Sequence, residues 1–172
     1  MYIMFGAHAG SKFYRIKMLK VIALGNTLRG DDGIGPAVID TLADMKTPEI
    51  NLIDLGSNAF DLLFHLNQPE PIILVDCARM GIEPGGIRRM TVEEKMLHHI
   101  DRFISLHGFS FSEIYHMAAG IGTTAPCHFI AVEPGSVEFG SGLSPAVRKS
   151  IPSVIKMIFE EMQIYEEKNN YH

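Results

Sequence analysis

The sequence predicts a single α/β domain built on a twisted five-stranded sheet, mostly parallel with one antiparallel strand, and helices on both faces. Three observations lead there. Aliphatic runs alternate with stretches of helical periodicity through the first half of the chain. The run Ile72-Ile73-Leu74-Val75 is continuous rather than alternating, as in a parallel strand covered on both sides. The chain has 172 residues and shows neither an internal repeat nor a linker, which suits one domain with a sizeable core.

Taken in order, residues 1–17 read as an N-terminal extension, expected to be partly disordered, ahead of a natural start at Met18. The domain itself spans 18–165. Leu19-Lys20-Val21-Ile22-Ala23-Leu24 is a buried central strand closed by Gly25-Asn26. Ile34, Val38, Ile39 and Leu42 recur at helical spacing, with Pro36 in the first turn, where its missing N–H costs nothing. A second strand covers 50–55, and Gly56-Ser57-Asn58 turns into a short helix that ends before Pro69 and Pro71. Ile72 to Asp76 is the strongest strand signal in the chain. This β-α-β-α-β order predicts right-handed crossovers, which put helices on both faces.

Gly86 to Thr91 is more polar and reads as an edge strand departing from the parallel pattern. Residues 92–105 are charged and His-rich, part helix and part loop. A helix over 110–119, a last strand over 127–134, and a long amphipathic helix to about Tyr165 complete the domain. Ser144-Pro145 supplies the cap and first residue of that helix. Residues 166–172 read as a polar tail.

Composition narrows the function classes. The hydrophobic fraction is 47% and the charged fraction 20%, a globular balance. Net charge is −5, with no Lys/Arg cluster, which argues against a nucleic-acid partner. No apolar run is long enough to span a bilayer, and the N-terminus has no signal-peptide core. Two cysteines, Cys77 and Cys127, fit small buried hydrophobes in a reducing, cytoplasmic setting.

Chemistry-bearing residues gather at strand ends and helix starts: Asp31, Asp32, Asp54, Asp76 and His107. Parallel strands place Asp32, Asp54 and Asp76 on the carboxyl rim of the sheet, where open α/β folds bind ligands. Two carboxylates and an imidazole suit a borderline divalent metal, with positions left open for water or substrate. Each also has a plainer reading. One of Asp31 and Asp32 can cap the following helix, Asp54 reads as structural, and His98, His99 and His172 read as solvated. Gly25, Gly30, Gly33 and Gly35 follow a strand as in a dinucleotide turn, but the spacing is not G-x-G-x-x-G, and two acids would repel a pyrophosphate. A nucleotide-binding module is therefore the weaker alternative.

Gly25-Asn26-Thr27-Leu28-Arg29-Gly30-Asp31-Asp32-Gly33-Ile34-Gly35 closely resembles the N-terminal signature of the [NiFe]-hydrogenase maturation endopeptidases. The resemblance continues in order through Ile53-Asp54-Leu55-Gly56-Ser57, Leu74-Val75-Asp76-Cys77-Ala78, Glu83-Pro84-Gly85-Gly86, Ser105-Leu106-His107-Gly108-Phe109, Glu133-Pro134 and Gly142-Leu143-Ser144-Pro145-Ala146-Val147. Ala23 stands where that family often has glycine. The resemblance implies an endopeptidase that removes the C-terminal extension of a nickel-loaded hydrogenase large-subunit precursor. It implies Asp32, Asp76 and His107 as both catalytic and metal-contacting residues. The nickel would be carried by the substrate, with no tightly held metal of the protein's own. Partners would be the precursor alone, without nucleic acid or membrane, and the enzyme would act in the cytoplasm as a monomer. A non-catalytic nickel-sensing chaperone of the same precursor is the other reading of those residues.

Overall fold

A computed structural model describes residues 19–101, 110–122 and 124–170. The expected extension over 1–17 therefore lies outside the described residues, as does His107. Five strands form one sheet: β1 (Leu19–Ala23), β2 (Ile50–Asp54), β3 (Ile72–Cys77), β4 (Ile87–Thr91) and β5 (Cys127–Val132). Their spatial order is β2-β1-β3-β5-β4. All neighbours pair in parallel except β4 and β5, so the expected antiparallel strand is β4, and it lies at an edge. It does not form a hairpin with its predecessor β3. Instead β5 inserts between them, and Gly85 N and Gly86 O bond the main chain of Glu133 to extend the β4–β5 ladder.

The helices are α1 (Ile34–Asp44), α2 (Leu62–Leu66), α3 (Leu97–Asp101), α4 (Phe111–Ile121) and α5 (Pro145–Asn170). Side chains alternate across each buried strand, so the sheet feeds two cores. Ile22, Leu74 and Phe129 pack with α2, α3 and α4 through Leu62, Leu97 and Phe111. Val21, Ile73, Val75 and Ile130 pack on the other face with α1 and α5 through Val38, Val154 and Ile158. The continuous aliphatic run of β3 is thus explained: each successive residue faces a different layer of helices.

Local signals set the helix ends. Ser110 caps α4 in a reciprocal box with Glu113, each side chain meeting the other's backbone N–H. Ser144 Oγ accepts from Val147 N at 3.4 Å ahead of Pro145. The helix begun there runs through Asn170, so residues 166–170 are helical rather than tail. Nothing in Glu166-Glu167-Lys168-Asn169-Asn170 stops a helix, and Pro152 is accommodated on the exposed side of the same helix. Among the described residues no helix is long and apolar enough to cross a membrane.

Phe129 is fully buried at the centre of the first core. Phe129→Ala removes that packing and leaves a cavity, so chemical denaturation should show a loss of about 3–5 kcal/mol.

Candidate functional site

The carboxyl ends of β1 and β3 are neighbours in the sheet, and the site forms where they stop. After β1 the chain turns at Gly25, whose N–H bonds Gly56 O at 3.0 Å. A Cβ at Gly25 would lie 1.9 Å from the Asp32 carbonyl oxygen and 3.8 Å from Asp76 Oδ1, and φ is +121°. Only glycine lets the Asp32 backbone fold over the strand end this closely. The main chain of Asp32 and the carboxylate of Asp76 therefore both close on this one glycine.

Asp32 belongs to a single 3-10 turn, Gly30–Gly33, that leads straight into α1. Its Oδ2 accepts from Asn26 N at 2.9 Å, and it is partly open to solvent. Asp76 is 5% exposed, and its Oδ1 accepts from Cys77 N at 2.7 Å. Burial pushes the Asp76 carboxyl up to about 8; the Cys77 N–H opposes this, and the nearby charge of Asp32 adds to it. Asp32 thus lies close enough for its charge to bear on the buried Asp76 carboxyl.

Asp31 points the other way. It is fully buried, and its Oδ2 accepts from Gly135 N at 2.7 Å and Ser136 N at 2.9 Å, while Oδ1 accepts from Ser144 N at 2.6 Å. Its own N–H donates to Ser136 O at 2.8 Å. Burial disfavours its charge, but the N–H groups of Ser136, Ser144 and Gly135, with the Ser144 side chain, more than offset this and hold the carboxyl below its usual range. Neither Asp31 nor Asp32 caps the helix through its side chain. Asp31 instead ties the segment after β5, and the start of α5, to the turn that carries Asp32.

Asp54 ends β2 in the open, accepting from Gly56 N at 2.8 Å, which is the structural part expected of it. Glu133 has a role of its own that no local sequence signal announces. Buried at the end of β5, its Oε2 accepts from Met80 N at 2.6 Å and fixes the loop after β3. Cys77 is half-buried, and its thiol is pushed well up, by burial first and by Asp76 next. Cys127 is buried and raised to about 12. Burial in both cases disfavours the thiolate form that nucleophilic chemistry needs. Among the described residues no three His, Cys, Asp or Glu side chains cluster as a metal site.

The hydrogenase maturation protease family matches residues 36–161, most of the chain. The chain belongs to that family. The match begins at Pro36, so it includes Asp76 and His107, while Asp32 falls just before it. Among relatives, the coenzyme F420 hydrogenase subunit delta of Methanothermobacter thermautotrophicus is 30% identical over 153 residues, 84% of this chain and 94% of that protein. The hydrogenase expression/formation protein HupD of Thiocapsa roseopersicina is 27% identical over 81% of this chain, which spans 65% of that protein's length. The hydrogenase maturating endopeptidase HybD from Escherichia coli shares the fold, with a TM-score of 0.73 at 20% identity, covering 86% of this chain and 93% of that one.

Asp76 and the supporting Asp31 respond to pH in opposite senses. Asp76 holds a proton in the folded protein that the unfolded chain releases above its ordinary 3.8. Its contribution to stability is complete below that value and is lost as pH rises through about 8. Asp31, with a lowered folded pKa, contributes above 3.8 and loses that contribution as pH falls through the folded value. Denaturation across pH should show Asp76→Asn flattening the decline between about pH 4 and 8. Asp31→Asn should remove stability most clearly near neutral pH and flatten the acid limb.

Proposed function

We propose that this protein is an endopeptidase that removes the C-terminal extension of a nickel-loaded [NiFe]-hydrogenase large-subunit precursor. The observation that carries the reading is the closeness of Asp32 to the buried Asp76 carboxyl at Gly25, on the carboxyl rim of a chain from the hydrogenase maturation protease family. A buried carboxyl that resists ionisation beside a second acid is relieved by a divalent cation. His107 completes the proposed contact set.

Nickel enters this site as cargo of the substrate. Two acids and one imidazole leave positions open, which suits a metal that arrives already bound elsewhere and is read rather than kept. In the cleavage step one acid, Asp32 or Asp76, takes a proton from the attacking water. Nickel orients the substrate or polarises the scissile carbonyl. The amine of the released extension takes up the proton as the peptide bond breaks. The protein acts in the cytoplasm as a monomer, with the precursor as its partner and neither nucleic acid nor membrane involved.

Purified precursor, loaded with nickel, should be shortened on a gel by the wild-type protein. Asp32→Ala, Asp76→Ala and His107→Ala should each slow the reaction by about 100-fold or more. Normal cleavage by all three overturns the site, and an intact precursor with wild-type protein points to a non-catalytic chaperone instead.

A further inference from the structure

Two large apolar side chains stand in solvent on the segments that Asp31 joins. Leu28 is 58% exposed and Phe139 is 78% exposed. Leu28 lies on the turn between Asn26 and Gly30, and Phe139 lies on the segment between β5 and α5. Gly140 N donates to Leu28 O at 2.8 Å, so these distant parts of the sequence are neighbours through their backbones. The contact is tight. A side chain at Gly30 would meet Ser136 O and Ser141 Oγ, each at 2.6 Å. Ser141 Oγ also donates to Glu138 O at 2.9 Å, bracing the turn that displays Phe139.

A single exposed leucine or phenylalanine is ordinary. Here two are held on adjoining backbone, anchored by a buried carboxylate, and flanked by the exposed polar residues Thr27, Arg29, Glu138 and Ser141. An apolar centre with a polar rim is the make-up of a docking patch. Its location names the occupant. Leu28 N donates to Asn26 Oδ1 at 2.9 Å, and Asn26 N donates to Asp32 Oδ2 at 2.9 Å. The patch therefore begins one hydrogen-bonded turn from Asp32, a proposed contact of the substrate's metal.

We propose that Leu28 and Phe139 form the docking patch for an apolar segment of the precursor, next to the bond that is cut. This rests on the function proposed above, and it adds the surface that recognises polypeptide rather than metal.

The test uses the full chain and nickel-loaded precursor, with Leu28→Ser, Phe139→Ser and the double variant. Both positions are exposed, so thermal unfolding should be unchanged. Precursor binding, followed by biolayer interferometry, should weaken about ten-fold for each single variant and further for the double. In the gel assay KM should rise in parallel while kcat stays the same, the mark of lost binding rather than lost chemistry. Wild-type affinity in the double variant overturns the patch and leaves the proposed endopeptidase standing. If the wild-type protein binds precursor but shortens none, the endopeptidase reading fails and the binding comparison still decides the patch. No binding by the wild-type protein overturns both. A wild-type dimer in sedimentation that Phe139→Ser dissolves assigns the patch to self-association and overturns the proposal.

Discussion

The carboxylate of Asp31 is the constraint on which the rim of this protein depends. Three main-chain N–H groups from the far end of the sequence converge on its two oxygens. A charge placed in the interior is tolerated only when its lone pairs are met, and here backbone donors meet them. The result is a clamp between the first strand-to-helix turn and the segment that enters the last helix. Without it the turn bearing Asp32 would have one wall instead of two. Its neighbour in sequence, Asp32, therefore sits on a turn held in place by a buried, hydrogen-bonded carboxylate.

The three acids of the rim illustrate how environment assigns roles to identical side chains. Asp31 has donors in excess and stays ionised. Asp76 has burial, one donor and an acidic neighbour, and it resists ionisation. Asp32 lies at the boundary with solvent, held by Asn26. Environment alone, through burial and backbone donors, thus separates the behaviour of chemically identical groups. The sheet makes this possible by ending the adjacent parallel strands β1 and β3 beside one glycine turn.

Much of this is legible in the sequence, and the legible parts share a property: they are local. The unbroken aliphatic run of β3 followed by Asp76, the Ser144-Pro145 start of α5, and the glycine turn before α1 each announce themselves within a few residues. What cannot be read there involves partners far apart. Asp31 meets donors 104 to 113 residues downstream, so helix capping is the natural local expectation and the clamp is invisible. The insertion of β5 between β3 and β4 likewise leaves no mark on the sequence of β4, which shows only its exposure and polarity. Glu133 adjoins the aliphatic residues of β5, yet its partners Met80 and Ile82 carry no pattern that points back to it. The end of α5 is hidden for a different reason: polar residues continue a helix as readily as they leave one.

The edge strand β4 has a consequence for how the molecule meets others. An open sheet edge invites a foreign strand to add to it, which leads to aggregation. Here two consecutive residues of that strand, Arg88 and Arg89, are both exposed, and Arg89 is drawn to the buried Glu161 of α5 at 2.7 Å. A strand approaching this border meets cationic side chains and a helix tether before it reaches the outer backbone of β4. The sheet's border is thus guarded by charge, while the exposed Leu28 and Phe139 lie on turns, which offer no strand edge to extend.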